Sequence, residues 1–106
     1  MIEIRLYIGL NDMLTKKQLF STDKYMSMLK KICFSYHVAF SIEVIQGGYF
    51  HENGDFSEEN TLVLTLIDID RSIAEEIAKD LCVFFHQDAI MITEDRVRVS
   101  FIHESL

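Results

Sequence analysis

The sequence contains no proline and only four glycines among 106 residues. So little of either gives no sign of a flexible linker or a low-complexity tail. No stretch approaches the ~20 apolar residues that a membrane-spanning helix needs. Strand-like alternation starts at Ile2, with no basic region or cleavage signal ahead of it, so a cytoplasmic setting without a secretory leader is expected. The four histidines, His37, His51, His86 and His103, never recur at a four-residue spacing. With no CxxC or HExxH motif either, neither a metal site nor a cofactor is expected. There is no GxSxG elbow, and Cys33 and Cys82 have no sequence-adjacent base, so no nucleophile stands out. No glycine-rich loop opens a helix, as phosphate binding would require.

Positive charge is also in short supply: ten Lys and Arg against seventeen Asp and Glu, a net charge of −7. The imbalance is uneven, with residues 1–37 carrying +3 and residues 38–106 carrying −10. An acidic surface repels phosphate and disfavours direct nucleic-acid binding, but it complements a basic protein partner. The carboxylates Glu52, Asp55, Glu58 and Glu59 around a hairpin, with Glu75, Glu76 and Asp80 on a helix, are the candidate partner-binding set.

The chain has 49% hydrophobic and 25% charged residues, enough apolar material for one domain, Met1 to Leu106. Ile2, Ile4, Leu6, Ile8 and Leu10 alternate with Glu3, Arg5, Tyr7 and Gly9, which predicts a half-buried strand. Asn11 to Phe20 breaks that pattern and reads as a loop. Ser21, Thr22 and Asp23 offer caps for a helix that buries Tyr25, Leu29, Ile32, Cys33 and Tyr36 and ends near His37. Phe40, Ile42 and Val44 restart alternation, Gly47-Gly48 predicts a bulge, and Asn53-Gly54 predicts a type I′ hairpin turn. The return strand runs from Glu59 to Ile67. A second helix, for which Asp68, Asp70 and Ser72 offer caps and Ser72 with Glu75 a capping box, buries Ile73, Ile77, Leu81, Phe84 and Phe85. Ala89 to Thr93 predicts a short strand, Glu94-Asp95 a turn, and Val97, Val99 and Phe101 a final strand. Cys33 and Cys82 fall on helix apolar faces and read as buried, reduced thiols.

The order is therefore β-α-β-β-α-β-β: an α+β, ferredoxin-like sandwich with two helices on one face of an antiparallel sheet and an extra C-terminal strand. The even residues of the first strand, Leu62/Leu64/Leu66 and Val97/Val99/Phe101 should face the helices. The other face should present Glu3, Arg5, Tyr7, Ile45, Val63, Thr65, Ile67, Arg96, Arg98 and Ser100. Such a face suits a homodimer or partner contact. Arg5, Tyr7, Tyr49, His51 and Arg98 are the candidates for that face or for a small-molecule pocket.

Leu6-Tyr7-Ile8-Gly9, Gly47-Gly48-Tyr49 with Gly54 and Glu59, and Phe84, Phe85, Gln87 with Val97-Arg98-Val99-Ser100-Phe101 resemble the motifs of a family of short, functionally uncharacterised bacterial proteins. The resemblance supports the fold and implies no activity. Without a catalytic motif, the expectation is a non-enzymatic interaction module, such as a small phage or mobile-element inhibitor that meets a host defence protein through its acidic surface. A homodimeric regulatory module and a small-molecule enzyme with a pocket near Tyr7, Tyr49, His51 and Arg98 are the alternatives.

Overall fold

The computed structural model describes residues 1–105; Leu106, the last residue of the expected domain, lies outside the described residues. The elements are β1 (Ile2–Gly9), α1 (Thr22–Tyr36), β2 (Ser41–Phe50), β3 (Phe56–Ile67), α2 (Arg71–Phe84) and β4 (Met91–Arg96). They form one antiparallel sheet of order β2-β3-β1-β4, the ferredoxin-like α+β arrangement. No helix is long and apolar enough to cross a membrane.

The β1–β3 register sets the core. Ile4, Leu6 and Ile8 lie opposite Leu66, Leu64 and Leu62, and all six are fully buried beneath the helices. Helix α1 contributes Tyr25, Leu29 and Cys33, and α2 contributes Ala74, Ile77, Ala78 and Leu81. Burial pushes the Cys33 thiol up to about 11, whereas Cys82 is only half-buried; both cysteines are free. The helices are tied together by the Tyr36 hydroxyl, which donates to Asp80 Oδ2 at 2.6 Å. That bond to a carboxylate raises the phenol to about 12.

Ser21 caps α1 by accepting from the Lys24 N–H. The capping box expected at α2 does not form. Asp70 occupies its N-cap without a side-chain bond, and Ser72 lies one residue inside the helix. The Gly47-Gly48 pair makes no bulge, because β2 and β3 pair without interruption from Ser41↔Thr65 to Phe50↔Phe56. Gly48 instead makes room for the Phe56 ring, whose Cζ would lie 2.5 Å from a Cβ there. The hairpin is also not the two-residue type I′. Gly54 alone has positive φ, at 91°, and its N–H donates to the His51 carbonyl while His51 N–H donates to Asp55. This is the longer loop in which a turn is followed by a left-handed glycine.

The largest departure lies at the C-terminal side. Strand β4 runs straight through the expected Glu94-Asp95 turn, and no strand forms over Val97–Phe101. The physical reason is the length of β1. Arg96 already pairs with Ile2, and Val97 N–H reaches the Met1 carbonyl, so the following residues have no strand of their own chain alongside. Phe101 is consequently 75% exposed and does not face the helices. Arg96 sits on the helix side of the sheet with Glu94, not on the outer face, since both pair with even positions of β1. Arg98 and Ser100 lie outside the sheet altogether.

Leu64 fills the middle of the core, so Leu64→Ala is expected to cost about 2–5 kcal/mol. Urea unfolding checks this: the midpoint should fall while the slope stays constant.

Candidate functional site

Beyond Gly9 the chain cannot continue as a regular strand, and the loop from Leu10 to Phe20 folds back over the sheet end. Two elements anchor it, β3 and the C-terminal turn of α2. Leu10 N–H donates to the Asn60 carbonyl at 3.0 Å, and Asn11 Nδ2 to the Glu58 carbonyl at 3.3 Å. Asn60 Nδ2 donates to Gln18 Oε1 at 3.0 Å. From the C-terminal turn of α2, Gln87 Nε2 donates to the Asn11 carbonyl at 2.7 Å, and the His86 carbonyl accepts from Met13 N–H.

The knot of this loop is Asp12, buried at 3% exposure. Its Oδ2 accepts from the N–H groups of Leu14 and Thr15 at 2.9 and 3.0 Å, and its Oδ1 lies 3.0 Å from His86 Nδ1. Together these bonds hold its carboxyl below the usual carboxylate range, the Thr15 N–H contributing most.

On the outer face of the sheet, beside this loop, lies Glu59. Directly opposite it on β2 is Gly47, and diagonally across on β1 is Gly9, which pairs with Thr61. The carboxylate folds over Gly9 so closely that a Cβ there would meet both oxygens at 2.6 Å. Oε2 accepts from Asn11 N–H at 3.2 Å. Among the described residues, no lysine, arginine or histidine forms an ion pair with Glu59. Gly9 therefore makes room for a half-buried carboxylate with no ion-pair partner, while a Cβ at Gly47 would meet only Thr61 Oγ1, at 3.6 Å.

Tyr49 comes two residues after Gly47 and so lies on the same face of β2. Its ring stands edge-on to His51 at 4.9 Å, and His51 Nε2 lies 2.6 Å from Ser57 Oγ. A depression of about 230 Å³ has Tyr49, Glu59, Asn11, Lys16 and Gln87 in its wall. A second, of about 210 Å³, lies across Glu59 and Asn11, between Gln18, Gln46 and Asn60. Their walls are mainly polar, and carboxylates outnumber cations.

The structure disperses the other expected site residues. Glu52 and Asp55 sit at the hairpin tip and Glu58 at its base. Glu75 pairs with Arg71 at 3.1 Å, and Asp80 is held by Tyr36. Glu76 is exposed on α2. Arg5 pairs with Glu3 at 2.8 Å on the outer face, where Tyr7 lies two residues nearer the glycines. Arg98 is far along the tail. Only Tyr49, His51, Glu58 and Glu59 gather at one place. Sequence reasoning gave no site role to Gly9, Asn11, Asp12, Gln18 or Gln87. The usable signal was a glycine ending a strongly patterned strand, followed after Leu10 by Asn-Asp, a pair that favours side-chain-to-backbone turns.

No family model and no curated protein matches the chain. Solved structures do match it, and two of them are of a phage SAM lyase. A phage SAM lyase in complex with S-methyl-5′-thioadenosine shares 17% identity at a TM-score of 0.70, covering 89% of this chain and 79% of that chain. A phage SAM lyase in the apo state shares 16% identity at a TM-score of 0.67, covering 89% of this chain and 78% of that chain. These neighbours are enzymes, and they overturn the expectation of a non-enzymatic inhibitor that binds a basic partner through its acidic surface.

Two outcomes are expected of variants here. Gly9→Ala should displace the Glu59 carboxylate, read as faster amide exchange at Asn11. Asp12 titrates lower when folded than its unfolded value of about 4. Its contribution to stability is therefore full above that pH and fades as pH falls through the lower folded value. The stability difference between wild type and Asp12→Asn, followed by urea unfolding, should accordingly be largest near neutrality and shrink in acid.

Proposed function

We propose that this chain is a lyase acting on a sulfonium nucleoside of the S-adenosylmethionine type, releasing a methylthioadenosine thioether at the site around Glu59 and Tyr49. The observation that carries the reading is the Glu59 carboxylate, without an ion-pair partner, laid over Gly9 at the wall of the depression that Tyr49 also lines. The shared fold of the phage SAM lyase supports the choice of substrate class.

The chemistry constrains what Glu59 does. Release of the thioether breaks the bond between sulfur and the γ-carbon of the amino-acid portion, and the electron pair passes to sulfur. The sulfonium charge disappears as the bond breaks. An anion next to sulfur would therefore hold the ground state more tightly than the transition state and slow the reaction. The productive position for Glu59 is beside the amino-acid portion, pairing with its ammonium and orienting the fragment whose electrons replace the broken bond. Those electrons come from within the substrate, either from its own carboxylate, which forms a C–O bond to the reacting carbon and closes a lactone, or from the neighbouring C–H bond, whose proton passes to solvent as a C=C bond forms. Either source completes the lyase reaction without an added water.

Tyr49, 43% exposed beside the depression, offers a flat aromatic surface for the purine. Gly47, where a Cβ would meet only Thr61 Oγ1 at 3.6 Å, lets the substrate approach the backbone of β2. The acidic surround favours a cationic substrate over phosphorylated nucleotides.

Incubating the purified protein with S-adenosylmethionine should yield methylthioadenosine, followed by chromatography and mass spectrometry. Glu59→Gln removes a charged hydrogen-bonding partner and should lower kcat/KM about 10- to 100-fold. Tyr49→Ala should raise KM more than it lowers kcat, and Tyr49→Phe should restore most of the loss. A wild-type protein that leaves the sulfonium intact, or a Glu59→Gln variant with unaltered kcat/KM, would sink the reading.

A further inference from the structure

We propose that the segment following β4 is an exchange strand, which adds to the open β2 edge of a second copy of this chain. The inference is independent of the reaction. Val97, Val99 and Phe101 alternate with Arg98 and Ser100, a pattern that specifies a strand with one apolar face. Yet the chain offers this strand no neighbour. Its backbone is held only where it begins, by Val97 N–H to the Met1 carbonyl at 2.9 Å and the Met1 ammonium to the Val97 carbonyl at 3.2 Å. From Arg98 onward the described residues make no backbone hydrogen bond. Phe101 and Ile102 are 75% and 92% exposed. The radius of gyration is 15.5 Å, against roughly 13 Å for a compact domain of this length.

The complementary feature is β2. It is an outer strand ten residues long, paired on one side only with β3. Exposed Val44 and Ile45 lie near its centre. A long, regular, apolar edge of this kind is a template for another strand. The glycines that could have broken it instead keep full register. Charge matches as well. Glu43 is the only charged residue of β2, and the alternating part of the tail carries Arg98 as its only charge.

Geometry decides that the two meet between copies. The sheet order places β4, from which the tail leaves, at one edge and β2 at the other, beyond β1 and β3. To reach its own β2 the tail would have to cross both strands over their faces. A second copy presents the same edge without any crossing. The contact is then head-to-tail, with different surfaces on the two partners, and such contacts close into rings when the rotation permits.

Two full-length variants separate the halves of the contact. Val99→Asp/Phe101→Asp disables the tail, and Glu43→Lys/Ile45→Lys disables the edge. All four positions lie outside the buried core, so circular dichroism should show each variant folded. In sedimentation velocity the wild type should run as a discrete oligomer and each variant alone as a monomer. Mixed in equal amounts, the variants retain one good tail and one good edge between them and should form a one-to-one dimer. A monomeric wild type, a tail variant that keeps the wild-type oligomer, or a mixture that stays monomeric would each overturn the proposal. The second would point to the outer sheet face as the contact between copies.

Discussion

The antiparallel register between β1 and β3 is the constraint from which everything else follows. Pairing Leu6 with Leu64 places six aliphatic side chains on the helix face at once. Because side chains alternate along a strand, a slip of one residue would turn all of them to solvent. The same register places Gly9 beside Glu59 on the opposite face. The hydrophobic effect thus fixes, from one side of the sheet, the position of a charged group on the other. A carboxylate needs no strong bond of its own to be held there. The leucines behind it set its backbone, and the missing Cβ of Gly9 lets its side chain lie flat.

The loop over that site is held differently, by polar bonds and not by apolar packing. Asp12 spends both carboxylate oxygens on the loop backbone and on His86, and Gln87 and Asn60 reach in from the helix end and from β3. Such bonds are worth more inside the loop than at its surface, because a buried carboxylate left unpaired is costly. This explains how the eleven residues from Leu10 to Phe20, outside any helix or strand, stay ordered beside the proposed substrate site. It also keeps Asn11 N–H directed at Glu59, so one loop orders itself and orients the carboxylate.

Fold and site were legible in the sequence to different degrees, for physical reasons. Period-2 alternation in Ile2–Leu10 and the helical spacing of Tyr25, Leu29 and Cys33 record burial directly, so the core and the element order could be read. Turn and cap details could not, since Asp70 competes with Ser72, and Asn53-Gly54 suits more than one loop length. The last strand failed for an instructive reason. Alternation reports that a segment is suited to a sheet, but says nothing of whether an edge is available to it. Glu59 and Tyr49 were both noticed, one as part of an acidic surface and the other as a pocket candidate. That they share a site depends on the β2–β3 register and on two glycines 38 residues apart in sequence, at Gly9 and Gly47. No local pattern encodes that proximity.

The acidic second half of the chain takes on a different meaning in this light. Spread over a hairpin tip, a hairpin base and a helix face, its carboxylates make no continuous surface, and several are already engaged by Arg71 or Tyr36. What matters is the sign of the field around one of them. A cationic small molecule is drawn towards such a region from a distance, and phosphorylated nucleotides, abundant competitors that share the purine, are repelled. The steering needs only net negative charge near Glu59, which Glu58 and Asp88 at the rims of the two depressions supply. On the proposed reading, charge that looked like a docking surface along the chain acts at the sheet end, where it favours a cationic small molecule over a phosphorylated one.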